Sequence, residues 1–258
     1  MSVLENIIVV LVEPSHPGNI GAVARSMKTM GLTDLVLVNP RKFPHAEASA
    51  RAAGADDVLD AARIVADVSA AIADRTLVLG TSVRDRQVSW PTVNPKQAAE
   101  VIVTHINELP LDHKVAILFG RENSGLSNEE LDLCQQQINI PANEDYSSLN
   151  LASAVQIIMY ELRMRELTFS ANDKRNDDRK PLTPIEKRRQ RATKEQLDGH
   201  FKHLEETLDK LDFIKSGPST MLMRKLTRLY NKAELTVEEI QIMRGILSAM
   251  QDYSPQQD

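Results

Sequence analysis

Residues 115–131 read VAILFGRENSGLSNEEL and contain the signals on which the fold assignment depends. The first five residues form a short, continuous apolar run, which is typical of a strand buried on both faces. A polar turn with two glycines follows, and Ser127 and Glu130 then have the spacing of a capping box, which predicts the start of a helix. A strand, a turn and a helix in this order predict one unit of a parallel α/β sheet.

Four more apolar runs rich in β-branched residues lie within the first 140 positions. They are Ile7–Val12, Leu35–Val38, Thr76–Gly80 and Ile138–Ile140. Apolar residues at helical spacing, such as Ile20, Val23 and Met27, lie between several of these runs. Buried strands that alternate with helices predict a parallel sheet covered on both faces. Residues 1–167 are therefore predicted to form an α/β domain, with a long last helix from about Leu149 to Leu167.

After Phe169 the composition changes from apolar to charged. Residues 171–194 contain nine Lys and Arg against four Asp and Glu. Such a segment cannot bury a core, so residues 168–194 are predicted to form a basic linker. From 195 to 258 apolar residues recur at helical spacing, with an interruption at Ser216–Pro218. This pattern predicts a small all-α domain of three short amphipathic helices.

The composition excludes several classes of protein. The chain has 258 residues, of which 42% are hydrophobic, but it has no run of about 18 apolar residues, so no transmembrane helix is predicted. One cysteine, Cys134, excludes an internal disulfide and a multi-thiolate zinc site, and it fits a reducing cytoplasm. His200 and His203 lie on a regular amphipathic helix, which favours a solvated surface pair over a metal site. The sequence therefore predicts a cytoplasmic protein that binds no metal.

Polar, turn-forming sequences follow three of the predicted strands. The three occupy residues 80–84, 120–125 and 141–150. A fourth loop, residues 13–21, opens the first helix and places Arg25 about one turn inside it. Ligands bind outside the carboxyl ends of the strands in open parallel sheets, and glycines there let the backbone approach a ligand closely. Together the four loops favour a ligand site, but not a P-loop, because Leu126-Ser127 replaces the required Lys-Ser/Thr pair.

Three segments carry a resemblance to a known superfamily. They read HPGNIGAVARSMKTMG at 16–31, ILFGRENSGLSNEEL at 117–131 and INIPANEDYSSLNLASAVQIIMYEL at 138–162. In order and spacing they resemble the three motifs of the SPOUT methyltransferases, and the match covers residues 5–167. The third segment and the helical C-terminal extension are most similar to the bacterial tRNA 2′-O-methyltransferases that modify cytidine or uridine 32 in the anticodon loop.

The resemblance implies a fold, a cofactor and an assembly. It implies a parallel-sheet SPOUT fold with a trefoil knot at the carboxyl end of the α/β domain. It also implies a homodimer whose active site is shared between the subunits. The implied methyl donor is S-adenosylmethionine, and the implied substrate is tRNA. Neither the knot nor the dimer follows from the physics of the sequence, since knots are rare among folds.

The resemblance also implies which residues form the site. Cofactor binding is assigned to three loops, which contribute Thr81, Ser82, Val83, Gly120, Ile140, Ser147, Ser148 and Leu149. Arg25 occupies the position that similar enzymes use in catalysis. Because an arginine guanidinium is a poor base at neutral pH, Arg25 is expected to bind phosphate or to stabilise the developing alkoxide. Ser148 is expected to orient the hydroxyl group, and Glu122 and Asn150 are expected to brace the loops or the dimer contacts rather than to act in the chemistry.

Four arginines are candidates for RNA binding. Arg84 and Arg121 follow the cofactor loops directly and are placed to contact phosphates, although ion pairs with Asp85 or Glu122 are an equal alternative. Arg224 and Arg228 lie one helical turn apart in the C-terminal domain, so that one face of its second helix is basic. That face extends the predicted RNA surface, unless its charges serve only to keep the helical domain soluble.

Three other functions remain open at this point. The first is a SPOUT 2′-O-methyltransferase that acts on another tRNA site or on ribosomal RNA. The second is an RNA-binding module without catalysis, which would have no need of Arg25, Gly120 and Ser148 together. The third is a flavodoxin-like nucleotide-binding or signalling domain, for which a basic linker and an arginine in the first helix have no purpose.

Overall fold

A computed structural model of the chain describes residues 2–82, 91–108, 113–143, 145–172, 183–214 and 219–252. The chain divides into two units, Met1–Lys180 and Pro181–Asp258. In its described residues the first unit contains a sheet flanked by helices, and the second contains helices. No helix among these residues has both the length and the apolar character that crossing a membrane requires.

The described residues of the first unit form a seven-stranded sheet in which every pairing is parallel. Its strands are β1 (Ile7–Val12), β2 (Leu35–Val38), β3 (Arg63–Val65), β4 (Leu77–Thr81), β5 (Thr92–Val93), β6 (Val115–Phe119) and β7 (Gln136–Ile138). Their order is β3-β2-β1-β6-β4-β7-β5. The predicted parallel sheet is therefore confirmed. Strands β3 and β5 were not predicted, because two or three residues at the edge of a sheet, partly exposed, carry no apolar run.

Helices connect these strands. They are a 3₁₀ helix (Val3–Asn6), α1 (Pro17–Met30), α2 (Ala46–Ala52), α3 (Asp56–Asp60), α4 (Val68–Ile72), α5 (Pro95–Glu108), α6 (Asn128–Asp132) and α7 (Leu151–Asn172). Helix α1 begins with a proline in its first turn and ends at Gly31, whose φ of 87° forms a left-handed cap. The predicted capping box of Ser127 and Glu130 does start α6. Helix α7 extends five residues beyond the predicted Leu167, into the segment assigned to the linker.

The core lies on both faces of the sheet. Ile7, Val9 and Leu11 of β1 pack on one side with α1, α5 and α7, while Ile8, Val10 and Val12 pack on the other side with α4 and α6. Helix α1 is also held closely against α2. A Cβ atom at Gly21 would lie 2.0 Å from the carbonyl oxygen of Ala48, so only glycine permits this approach. The helix that carries Arg25 is thus fixed by packing.

The second unit consists of α8 (Pro184–Arg188), α9 (Lys194–Lys210), α10 (Ser219–Asn231) and α11 (Val237–Asp252). The three predicted helices are present, and α8 is an additional one within the segment assigned to the linker. Residues just before α9 also belong to this unit, since the Ala192 N–H donates to the Leu235 carbonyl at 2.8 Å. Backbone hydrogen bonds to a distant turn of the chain cannot be inferred from composition, which explains why the predicted linker was too long.

The prediction of a solvated histidine pair was wrong for His200. Its side chain is fully buried beside Phe201 and Tyr230, where burial and the charges of His203 and Arg244 lower its pKa. An aromatic cluster accommodates a neutral imidazole as an apolar ring. Among the described residues, no group of three or more His, Cys, Asp and Glu side chains could hold a metal ion.

Candidate active site

A cavity of about 370 Å³ opens at the carboxyl edge of the sheet, where loops after β4, β6 and β7 meet. These strands are neighbours in the sheet, so their carboxyl ends meet at one edge although they are distant in sequence. The cavity is lined by seven of the residues predicted to bind the cofactor, namely Thr81, Ser82, Gly120, Ile140, Ser147, Ser148 and Leu149. The eighth, Val83, and the predicted RNA contact Arg84 lie outside the described residues.

The loop after β6 forms one wall of the cavity because it folds back on itself. Arg121 and Gly125 pair as an antiparallel bridge, with N–H···O distances of 3.2 and 2.9 Å. Gly125 has a φ of 70°, which favours glycine. A Cβ atom at Gly120 would lie 2.1 Å from the backbone carbon of Gly125 and 2.2 Å from the nitrogen of Leu126. The two glycines therefore permit a hairpin that an alanine at position 120 would force open.

Glu122, in the same hairpin, binds the loop that opens α1. Its carboxylate accepts hydrogen bonds from the Ser15 N–H at 3.1 Å, the Ser15 hydroxyl at 3.0 Å, the His16 N–H at 3.2 Å and the Asn19 side-chain amide at 3.1 Å. Burial by itself raises the pKa of Glu122. These hydrogen bonds, together with one from its own backbone, lower the pKa by more than burial raises it. The net pKa lies below its usual value. Glu122 is thus an ionised acceptor at the amino end of α1, where a negative charge also interacts favourably with the helix dipole.

The third loop joins this network through Asn150. The Asn150 side-chain NH₂ donates to the side-chain oxygen of Asn19 at 3.1 Å, and its own side-chain oxygen accepts from the Ala152 N–H at 2.9 Å. Asn150 therefore caps α7 and contacts α1 at the same time. Since Asn19 donates to Glu122, one chain of hydrogen bonds links the loops that precede α1, α6 and α7. The expectation that Glu122 and Asn150 brace the loops agrees with this geometry.

Arg121 has a different environment from the one predicted. Its guanidinium group donates to both oxygens of Glu13, at 2.8 and 3.0 Å, and to both oxygens of Glu130, at 2.9 and 3.0 Å. These hydrogen bonds raise the pKa of Arg121 and lower that of Glu13. A guanidinium that already binds two carboxylates has little capacity left for a phosphate. The geometry therefore favours a structural role for Arg121, with Glu13 and Glu130 rather than Glu122 as its partners among the described residues. The other suggested partner, Asp85, lies outside the described residues.

Arg25 differs from Arg121 in being exposed. It lies on the solvent side of α1, about one and two-thirds turns beyond Asn19, which contacts Glu122. Among the described residues its side chain forms no ion pair or hydrogen bond, and only its backbone carbonyl accepts a bond, from Thr29. Ser148 is also exposed, at the mouth of the cavity. The two residues with predicted catalytic roles are thus accessible, whereas the residues that position them are hydrogen-bonded.

The predicted basic face of the C-terminal helices is only partly exposed. Arg224 and Arg228 lie on α10, and both are half-buried, while the neighbouring Lys225 and Lys232 are exposed. Long arginine side chains commonly bury their aliphatic part and keep the charged end at the surface. The two arginines therefore remain candidates for RNA binding.

The comparisons with known proteins agree with this site. A model of the SpoU rRNA Methylase family matches residues 6–160, and a model of the C-terminal domain of tRNA methyltransferase TrmJ matches residues 195–258. The chain is 44% identical over 248 residues to the tRNA (cytidine/uridine/adenosine-2′-O-)-methyltransferase TrmJ of Pseudomonas aeruginosa strain UCBPP-PA14, a match that covers 96% of this chain and 95% of that one. The chain belongs to the TrmJ family.

Further TrmJ proteins and solved structures support the assignment. The tRNA (cytidine/uridine-2′-O-)-methyltransferase TrmJ of Salmonella typhimurium strain LT2 is 43% identical, covering 96% of this chain and 97% of its own. The crystal structure of TrmJ from Z. mobilis ZM4 has a TM-score of 0.77 at 36% identity and covers 95% of this chain and 99% of that one. A probable methylase family protein from Haemophilus influenzae Rd KW20 has a TM-score of 0.61 at 43% identity, covering 96% of both chains. The resemblance to SPOUT methyltransferases is confirmed.

The cavity fits S-adenosylmethionine, the methyl donor of the SpoU methylase family. Its volume lies within the range of small-molecule pockets, about 300–1,000 Å³. Phe119, Leu126, Ile138, Ile140 and Leu149 give it apolar walls suited to an adenine ring, and Ser82, Ser147 and Ser148 supply polar groups at the same site. Apolar walls with a few polar groups are the usual composition of a site for a nucleoside-like ligand. The predicted cofactor therefore agrees with the residues that the structure brings together.

Sequence reasoning missed the partners of these residues. It identified Glu130 as half of a capping box but not as a ligand of Arg121. It placed Glu13, Ser15 and Asn19 in one of the four site loops but did not identify their partners. The sequence offers one signal for Asn19, since it occurs with Arg25 in the first of the three motif segments. The contacts of Glu13 and Ser15 join residues more than 100 positions apart, which no local pattern can indicate.

We expect Glu122→Gln to reduce the free energy of unfolding by about 2 kcal/mol at pH 7, because every partner of this carboxylate is a donor and an amide would present NH₂ to one of them. The pKa of Glu122 is lowered on folding, so the contribution of its charge is present above the unfolded pKa of about 4.3 and is lost as the pH falls through the folded value. Urea unfolding of wild type and variant at several pH values measures the difference, which should decrease as the pH falls.

Glu5→Gln is the control, since Glu5 is exposed and its carboxylate has no hydrogen bond among the described residues. This change should alter the free energy of unfolding by less than about 0.5 kcal/mol. Equal effects of the two substitutions, or a Glu122→Gln effect that does not depend on pH, would show that the carboxylate does not fix the loops.

Proposed function

We propose that this chain methylates the ribose 2′-hydroxyl of nucleotide 32 in the anticodon loop of tRNA, with S-adenosylmethionine as methyl donor. The chain is a tRNA (cytidine/uridine-2′-O-)-methyltransferase by family. One structural observation carries the proposal. The Glu122 carboxylate lines the cavity and accepts hydrogen bonds from the start of the helix that carries Arg25. The cavity proposed for the methyl donor and an exposed cation therefore lie on connected elements.

Positioning supplies much of the catalysis in this mechanism. S-adenosylmethionine, when bound, supplies an electrophilic methyl group. The loops that line the cavity hold the reacting groups in fixed positions, and such placement lowers a barrier by roughly 7–11 kcal/mol. Because these loops are linked by hydrogen bonds before substrate arrives, the chain loses little further entropy on ordering the site.

Arg25 and Ser148 have distinct roles toward the target nucleotide. An arginine guanidinium is a poor general base, so the proton of the 2′-hydroxyl group is assigned to solvent water rather than to Arg25. Arg25 binds the phosphate next to the target ribose or stabilises the negative charge that develops on the 2′-oxygen. Ser148, exposed at the mouth of the cavity, orients the hydroxyl group by a hydrogen bond.

Recognition through the ribose accounts for a broad choice of base. A 2′-hydroxyl group is the same in all four ribonucleotides. The relative from Salmonella typhimurium is named for cytidine and uridine, and the one from Pseudomonas aeruginosa for cytidine, uridine and adenosine. We therefore propose that this chain also methylates pyrimidine nucleotides and selects its site by the shape of the anticodon loop.

We also propose a homodimer with a shared active site, a trefoil knot at the carboxyl end of the α/β domain, and a cytoplasmic location, which a tRNA substrate and the single, buried Cys134 fit. Arg84, Arg224 and Arg228 are proposed to bind tRNA phosphates. The family whose model matches the first domain is named for the methylation of ribosomal RNA. The match of residues 195–258 to the TrmJ C-terminal domain nevertheless favours tRNA as the substrate.

Arg25→Ala should reduce the rate of methyl transfer about 10²–10³-fold while leaving the affinity for S-adenosylhomocysteine nearly unchanged, because the side chain contacts the nucleotide and not the cofactor cavity. Lys28→Ala is a control one turn further along α1, where the lysine pairs with Asp57 at 2.7 Å. Methylated nucleotides are mapped in tRNA and ribosomal RNA from a strain that lacks the gene and is complemented with each variant.

Wild type and Lys28→Ala should restore ribose methylation at nucleotide 32, and Arg25→Ala should not. Restoration by Arg25→Ala would remove Arg25 from the mechanism. Restoration by wild type only at another tRNA position, or only in ribosomal RNA, would contradict the proposed site of action.

A protein truncated after residue 180 should bind S-adenosylmethionine like the full chain but should methylate tRNA poorly at subsaturating concentrations, since it lacks Arg224 and Arg228. The boundary at residue 180 follows the division of the chain into units and leaves α7, which ends at Asn172, complete. Initial rates at increasing tRNA concentration measure the effect. Rates equal to those of the full chain at low tRNA would show that the C-terminal helices do not bind tRNA.

A further inference from the structure

The loop between β2 and α2, residues 39–45, presents two cations that the proposed mechanism does not use. It reads NPRKFPH, and the side chains of Arg41 and Lys42 are exposed. The loop follows the carboxyl end of β2, and β2 is the neighbour of β1 in the sheet. It therefore lies at the same edge of the sheet as the loops that form the cofactor cavity.

The backbone of this loop is fixed at three points while its two charges remain at the surface. The Asn39 N–H donates to the Val65 carbonyl at 3.0 Å, and the Arg41 N–H donates to the Pro14 carbonyl at 3.2 Å. Phe43 packs against the hydrophobic core. A cation on a fixed backbone loses less entropy on binding than one on a flexible loop. This arrangement is typical of a binding surface.

The loop is connected to the candidate active site by a short series of contacts. Pro14, which accepts the bond from Arg41, directly precedes Ser15, and Ser15 donates to Glu122 at the cofactor cavity. The same segment begins with Glu13, whose backbone N–H donates to the Val38 carbonyl of β2 at 2.8 Å. Arg41 and Lys42 thus extend the surface that begins with the loop opening α1.

The charges of Arg41 and Lys42 are not neutralised by ion pairs. Among the described residues, neither side chain has an ion-pair or hydrogen-bond partner. The charge of Arg41 helps to lower the pKa of Glu13, but both oxygens of Glu13 already accept from Arg121. The Oε1 atom of Glu47, at the start of α2, lies 3.7 Å from the Nδ1 atom of His16. The local acidic groups therefore have other partners, and the two cations are free to attract an anion from solution.

We propose that Arg41 and Lys42 bind the phosphate backbone of the substrate RNA beside the target nucleotide. The inference rests on the proposed function, because it takes an RNA chain at the cavity as given. A polyanion that enters the cavity with one ribose continues on both sides of it, and its next phosphates need cations at the same edge of the sheet. Phosphate contacts position the RNA without reading its sequence, which agrees with recognition through the ribose.

Arg41→Ala/Lys42→Ala tests the proposal, because alanine removes both charges and keeps the backbone N–H that binds Pro14. The matched control is Arg63→Ala/Lys114→Ala. Arg63 begins β3 and Lys114 precedes β6, so both lie at the amino ends of strands, at the opposite edge of the sheet. They pair with Asp34 at 3.3 Å and Asp74 at 2.9 Å, exposed ion pairs that contribute little to stability. Both double variants lower the net charge equally.

The dissociation constant of unmodified tRNA is measured by fluorescence anisotropy at several salt concentrations, with S-adenosylhomocysteine affinity as a check of the fold. Each lost phosphate contact should flatten the log–log salt dependence by about 0.7–0.9, which corresponds to about 5–8-fold weaker binding at 0.1 M salt. We therefore expect about 25–60-fold weaker binding for Arg41→Ala/Lys42→Ala, since two contacts are lost. Lys42→Ala alone should change the salt slope by about half as much as the double variant does. The control should bind like wild type.

Wild-type affinity and an unchanged salt slope in Arg41→Ala/Lys42→Ala would overturn the inference, and so would an equal loss in the control, which would indicate an effect of net charge alone. These outcomes leave the proposed function intact provided that wild type binds and methylates tRNA. If wild type itself shows no salt-dependent binding of tRNA, the proposed function fails, and the inference fails with it.

Discussion

The Glu122 carboxylate is the interaction on which the arrangement of the site depends. It lies in the hairpin after β6 and accepts hydrogen bonds from Ser15, His16 and Asn19 at the start of α1. The sheet alone brings the loops to one edge, but it does not fix how they are oriented. The ionised carboxylate fixes their orientation, because it accepts from four donor groups and each hydrogen bond to a charged group contributes about 1.5–3 kcal/mol. Asn150 extends the same network to α7.

The distribution of carboxylates decides which cations remain available for RNA. Glu13 and Glu130 bind Arg121, which lies in the hairpin and becomes part of the scaffold. Arg25, Arg41 and Lys42 have no such partner among the described residues and are exposed. An acidic chain, with a net charge of −5, can thus bind a polyanion, because Glu13 and Glu130 at this edge are paired with Arg121 and a few basic groups of the described residues are not paired.

The sequence predicted the sheet because its central strands are continuous apolar runs, as in Val115–Phe119, and it predicted α6 because its capping box is local. It did not predict β3 and β5, whose two or three residues lack an apolar run, nor the burial of His200, which depends on Tyr230 thirty positions away. The residues assigned to the cofactor were predicted from the motif resemblance. Their order and spacing were visible, whereas the partners of Glu122 and Arg121 are set by the three-dimensional fold and were not.

Calorimetric titration with S-adenosylhomocysteine tests most directly whether the three loops form a cofactor site. The account predicts saturable binding to wild type and at least about tenfold weaker binding to Gly120→Ala, whose Cβ would displace the hairpin that forms one wall of the cavity. Gly245→Ala, a glycine with open space around its Cβ position, should bind like wild type. Absence of binding to wild type, or equal affinity in Gly120→Ala, would contradict the assignment of this cavity to the cofactor.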